Sequence, residues 1–117
     1  MVLTYNQMVV DELTDDAVDR LFQALADATR RDIVARVLHR EQSVSNLADH
    51  YAMSFAAVQK HVAVLERASL VTKQRRGREQ IVRGNPKALE TAARLLDEYE
   101  QIWRHRTQRI ADILTED

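Results

Sequence analysis

Between Ser43 and Gly84 the chain reads SVSNLADHYAMSFAAVQKHVAVLERASLVTKQRRGREQIVRG, and the polar groups in it are suited to one kind of chemistry. Gln59 and Lys60 stand together in a stretch of helical spacing, while Arg75, Arg76 and Arg78 surround a single glycine, Gly77. A glutamine amide pairs bidentately with adenine, and a lysine ammonium reaches guanine or a phosphate oxygen. Arginines on a tight turn bind phosphate or enter a minor groove; phosphate contacts add affinity and register but do not read sequence. From Lys60 to Lys87 there are eight Lys or Arg against two acids, Glu66 and Glu79, a net +6 in a chain whose formal charge is −1. A basic face on a near-neutral protein is an electrostatic footprint for phosphate. The plainer alternative, a basic surface that is merely solvated, does not explain why the run coincides with a helix and a hairpin.

The remaining reactive residues form no other site. There is no nucleophile–base arrangement, phosphate loop or metal motif, which argues against an enzyme. The chain has no cysteine, so disulfides and thiolate metal sites are excluded. Its histidines (His39, His50, His61, His105) read as structural or solvated groups. No metal and no cofactor is expected.

Two helices and a hairpin must carry the basic groups. A short helix from about Val44 to Tyr51, a turn at Ala52-Met53 and a longer helix from Ser54 to about Ala68 make a helix-turn-helix, whose second helix enters the DNA major groove. At 100° per residue, Val58, Val62 and Leu65 fall on one face and pack inward. Ala56, Lys60, Ala63 and Arg67 fall opposite, with Gln59 beside them, and the small side chains permit close approach. Val71 to Gln74 and Gln80 to Arg83 read as two strands joined where Gly77 supplies a positive φ. This wing carries Lys73, Arg75, Arg76 and Arg78.

The rest of the chain is scaffold. At 117 residues it is one domain, and one Pro with two Gly predicts a mainly α protein: about five helices plus a two-stranded β-wing. Asp15 or Asp16 caps a helix burying Val18, Leu21, Phe22 and Leu25. Residues 1–14 either extend that helix or stay partly loose. Asp27 starts a second helix with Ile33, Val34, Val37 and Leu38 inside. Ser43 caps a third, burying Val44, Leu47, Ala48 and Tyr51, and Ser54 caps the fourth. Asn85 and Pro86 begin a last helix of about 28 residues. Leu89, Ala92, Leu96, Tyr99, Trp103, Ile110 and Ile113 make a heptad-like stripe along it, interrupted by Arg106. So long a stripe exceeds what a small domain covers. Either a second copy pairs with it, making a homodimer that includes Phe22, or Trp103 folds back on the first helix; both are compatible. Residues 1–26 and 86–115 are thus assigned to dimerisation and 43–84 to DNA. No apolar run approaches the roughly 18–20 residues of a membrane span. The N-terminus lacks the basic start and long apolar stretch of a signal peptide, so a cytoplasmic protein is expected.

LADATRRDIVARV, SVSNLADHYAMSFAAVQKHVAVLERASLV, RRGREQIVRGNP and the late Trp103 together resemble the ArsR-type winged-helix transcriptional repressors, over roughly residues 20–104. The resemblance implies a sequence-specific repressor that binds a palindromic double-stranded operator as a homodimer and leaves it when an inducer binds; the inducer is unknown. Many such proteins hold a metal through paired cysteines, where this chain has Ser43 and Ser45. Others use Asp, His and Glu on the last helix, where His105 with Asp97, Glu98 and Glu100 does not complete the pattern. Hydroxyls are poor ligands for soft metals, so the chain is closer to the metal-independent branch. Phe55 stands where a polar residue is common, and either touches a thymine methyl or tucks into the core. Ala28 replaces a usual Pro and Ser69 a usual Gly. A metal-sensing repressor using His and carboxylates, and a helical protein-interaction module without DNA binding, are the alternatives.

Overall fold

The structure, a computed structural model, describes residues 14–115; the expectation for residues 1–13 lies outside them. Helix α1 spans Asp15–Leu25, α2 Ala28–His39, α3 Val44–Ala48, α4 Phe55–Arg67 and α5 Pro86–Thr115. Strands β1 (Gln42–Ser43), β2 (Val71–Arg76) and β3 (Glu79–Gly84) form an antiparallel sheet in the order β1-β3-β2. Among the described residues no helix is long and apolar enough to cross a membrane.

Side-chain caps set the helix starts. Asp27 accepts from the Arg30 N–H at 3.0 Å, Ser43 from Asn46 at 3.0 Å and Ser54 from Ala57 at 3.1 Å, each satisfying an N–H left free by the first turn. The first helix departs from expectation. Its cap is Thr14, accepting from the Ala17 N–H, and Asp15 and Asp16 lie in the first turn instead, where carboxylates favour the positive end of the helix dipole. Ala28 occupies the first helical position after Asp27, a place where Pro also fits because that N–H has no partner in the helix.

The core gathers one face of every helix against β2 and β3. Val58, Val62 and Leu65 of α4 are fully buried, with Ile33, Leu47, Leu70, Val71 and Val82. Burial of such side chains contributes about 1.5–3 kcal/mol each.

The expected two-stranded wing is β2 with β3, and a short third strand joins its edge: Gln42 and Ser43 pair with Val82 and Ile81, and two residues are too few to show a period. Two further expectations need correction. Helix α3 ends at Ala48, not Tyr51, because the N–H groups of His50 and Tyr51 turn back to Leu47 and Ala48 three residues behind. Leu38 is 43 % exposed rather than inside. It leans on Gly84 instead, where an added Cβ would stand 2.6 Å from Leu38 Cδ2 and would oblige that side chain to shift. Of the two arrangements left open for the α5 stripe, fold-back within the subunit is not seen: Trp103 is 63 % exposed. Helix α5 leaves the domain after Ala92, and Leu96, Tyr99, Ile110 and Ile113 are exposed along it. Phe22 and Leu89, at the other end of the expected interface, lie half-buried against the subunit's own core.

Candidate nucleic-acid interface

Helix α4 turns its polar side to solvent because Val58, Val62 and Leu65 hold the other side in the core. Ala56, Gln59, Lys60 and Arg67 are exposed and Ala63 is half-buried, as their angular positions require. Phe55, the first helical residue, is 46 % exposed and stands outside the core. Of its two possible roles, contact with a ligand surface is the one its position permits. Ser54 is exposed and spends its hydroxyl on the cap.

The far end of α4 closes by a Schellman motif. Ser69 donates its N–H to Glu66 O at 2.9 Å and Leu70 to Leu65 O at 3.0 Å, with Ser69 at φ +62°. Ser69 thus carries the left-handed strain that a glycine would avoid. The chain then enters the wing.

The wing is a tight hairpin. Arg76 pairs with Glu79, leaving Gly77 and Arg78 as the loop, and Gly77 takes φ +66°. A positive φ at the first loop residue alone is the pattern of a type II′ turn, whose twist matches the strands. Strand alternation divides the basic residues between two faces. Lys73 and Arg75 share the face of the buried Val71; Lys73 Nζ lies 3.5 Å from Glu66 Oε1 on α4. Arg76 and Arg83 occupy the other face, and both bind Glu41, at 2.7 and 2.8 Å. The Arg76 guanidinium, then that of Arg83, holds the Glu41 carboxyl below the usual carboxylate range. Arg75 donates to Gly77 O at 3.2 Å. Arg78, at the tip, has no partner among the described residues. Glu41 lies outside residues 60–87, so counting charge along the sequence overstated how much of the positive charge on the wing is free.

Two further contacts hold α4 and escaped the sequence reading. Arg30 donates to the α1 carbonyls of Ala24 (2.8 Å) and Gln23 (3.0 Å) and places a guanidinium nitrogen 3.3 Å from His61 Nδ1 on α4. A cation just beyond a helix C-terminus was its sequence signal. Tyr51 donates its hydroxyl to Asp32 Oδ2 at 2.6 Å, beside Arg36 at 2.7 Å, so α2 grips the turn that precedes α4. The Tyr51 bond and then Arg36 lower the Asp32 carboxyl, while burial and then Asp32 push the Tyr51 phenol up to about 12. Nothing in the helical periodicity marks this pair, which is separated by nineteen residues.

Of the two serines that the resemblance aligns with metal-binding cysteines, one has another role. Ser43 is buried as the α3 cap, and Ser45 is exposed.

No family model matches the chain. It is 34 % identical over 96 residues to the HTH-type transcriptional regulator Rv2034 of Mycobacterium tuberculosis, covering 82 % of this chain and 87 % of the relative. Its backbone resembles the ArsR-like transcriptional regulator from Rhodococcus sp. RHA1 with a TM-score of 0.74, at 31 % identity, covering 89 % of this chain and 97 % of the other. It also resembles the homodimeric winged helix-turn-helix DNA-binding domain Mb0332 of Mycobacterium bovis, with a TM-score of 0.63 at 23 % identity, over 82 % of this chain and 91 % of that one; this likeness speaks for the fold alone.

Proposed function

Since the chain belongs to the ArsR family of winged helix-turn-helix transcriptional regulators, we propose that it acts as a repressor, binding a palindromic double-stranded operator as a homodimer. The observation that carries this reading is the solvent face of α4, where Ala56, Gln59, Lys60, Ala63 and Arg67 present small and basic groups, while the one carboxylate beside them, Glu66, is held by Lys73. Gln59 reads an adenine edge, Lys60 a guanine or a phosphate, and the small alanines let the helix approach the base pairs. Arg75 and Arg78 add phosphate contacts from the wing. Arg76 contributes less, because Glu41 already holds it.

Pairing of two copies follows from α5. Leu96, Tyr99, Trp103, Ile110 and Ile113 expose an apolar stripe that one subunit leaves open. Two-fold closure covers such a stripe with itself. It also sets two recognition helices about 34–36 Å apart, one turn of DNA, which makes the operator a palindrome. Residues 14–26 and 86–115 serve this pairing, and 43–84 serve the DNA. Work on chromosomal operators puts the protein in the cytoplasm. None of these roles requires catalysis.

Selection of bound fragments from genomic DNA, followed by footprinting, tests the reading. Protected half-sites one turn apart, with affinity falling steeply as salt rises, are expected. Absence of any salt-dependent binding to duplex DNA would leave the protein-interaction reading in its place.

A further inference from the structure

We propose that the cleft behind Ser69 binds a small carboxylate with an apolar body. The cleft measures about 380 Å³ and lies where α1, the end of α4 and the start of α5 meet. That size is in the range of small-molecule sites. Val18, Leu21 and Ala88 contribute an apolar wall, and Arg20 and Lys87 add two cations from different helices. Among the described residues no carboxylate lines it. Neither cation has an ion-pair partner among the described residues, whereas the Asn85 and Thr91 side chains are already engaged. Asn85 donates to Ser69 O and accepts from the Lys87 N–H, and Thr91 donates to Lys87 O. The unmet chemistry is therefore one negative head group beside a short hydrocarbon or ring.

The location ties occupancy to DNA binding, and this part rests on the operator reading above. The cleft is lined by Ser69, the strained residue that closes the recognition helix, and by Asn85, which joins Ser69 to α5. A ligand wedged between α1 and the start of α5 acts on that joint. It changes the angle between the recognition helix and the helix that pairs the subunits, and with it the spacing of the two half-site contacts.

Octanoate is the probe, with octanol as its uncharged counterpart, titrated into the full chain without DNA by calorimetry and amide-resolved NMR. Octanoate saturates at one per subunit, perturbs the amides of Ser69, Leu70 and Lys87, and binds about tenfold more tightly than octanol, the scale of one charge-assisted bond. Arg20→Gln combined with Lys87→Gln, both exposed positions, abolishes that preference while circular dichroism stays unchanged. Equal binding of octanoate and octanol overturns the site. So does a perturbation map centred on Trp103 and the α5 stripe, or a double variant that keeps the preference. Because this arm contains no DNA, its failure leaves the operator reading intact. In a second arm saturating octanoate weakens binding to the selected operator in the parent and not in the double variant. Unchanged operator affinity with a filled cleft refutes the coupling.

Discussion

Asn85 donates its side-chain amide to the carbonyl of Ser69 at 2.8 Å, joining the last turn of the recognition helix to the first turn of α5. The Asn85 N–H also bonds Leu70 O at 2.9 Å, so the joint has two bonds on adjacent residues. One residue of this joint is strained, since Ser69 holds φ +62° where a β-carbon is disfavoured.

Relief of that strain should stabilise the protein. Ser69→Gly gains about 0.5–1 kcal/mol, the left-handed penalty less the extra chain entropy of glycine in the unfolded state. Urea unfolding at fixed protein concentration measures it. A lowered midpoint at unchanged slope contradicts the strain assignment.

Base reading and phosphate holding separate in the proposed interface. Gln59→Ala loses about 1–3 kcal/mol of discrimination at one base pair. Arg78→Ala weakens all sequences alike and lowers the salt slope by about 0.9, one phosphate contact. Glu41→Gln frees Arg76 and Arg83 and strengthens binding to unrelated duplexes. Filter binding across a salt series distinguishes the three variants. Parental behaviour of both Gln59→Ala and Arg78→Ala would place the DNA on another surface.

The α5 stripe should hold the dimer. Sedimentation of the parent at micromolar concentration gives a dimer, and Leu96→Ala with Trp103→Ala gives monomers with reduced operator affinity. Each side chain contributes about 1.5–3 kcal/mol when a partner covers it. A double variant that remains dimeric moves the interface elsewhere.

The Tyr51–Asp32 bond makes stability depend on pH at both extremes. Asp32 has a lowered folded pKa, so its contribution is present above the unfolded value near 3.8 and is lost as pH falls through the folded one. Tyr51 has a raised folded pKa, so its contribution is present below the unfolded value of 10 and is lost as pH rises through about 12. Tyr51→Phe costs about 0.5–1.5 kcal/mol near neutrality, the net worth of one hydrogen bond, and the gap narrows below pH 4. Ultraviolet titration of the parent contains a tyrosine ionising near pH 12 that the variant lacks. If the tyrosine that the variant lacks ionises near pH 10 in the parent, the hydrogen bond is ruled out in solution.

Much of the proposed interface was legible because it depends on local rules. The 100° step of α4 put Val58, Val62 and Leu65 inside and left Gln59 and Lys60 outside, and a lone glycine between arginines marked the hairpin turn. Caps at Asp27, Ser43 and Ser54 are side-chain chemistry three residues long. The resemblance put Ser69 where glycine is usual, and the structure supplies the left-handed backbone that makes the replacement costly.

The sequence by itself determined the order of the helices, where the basic groups concentrate and the apolar face of α4, since each follows from spacing over a few residues. Tertiary structure alone decided which charges are free. Glu41 is thirty-five residues from Arg76, yet it neutralises that side of the wing. It also decided that Leu38 covers Gly84, that Gln42 and Ser43 extend the sheet, and that Tyr51 and Arg30 brace the recognition helix. The physical reason is common to all of them. These contacts join residues distant along the chain, and their partners are chosen by how the elements pack, which no local period encodes.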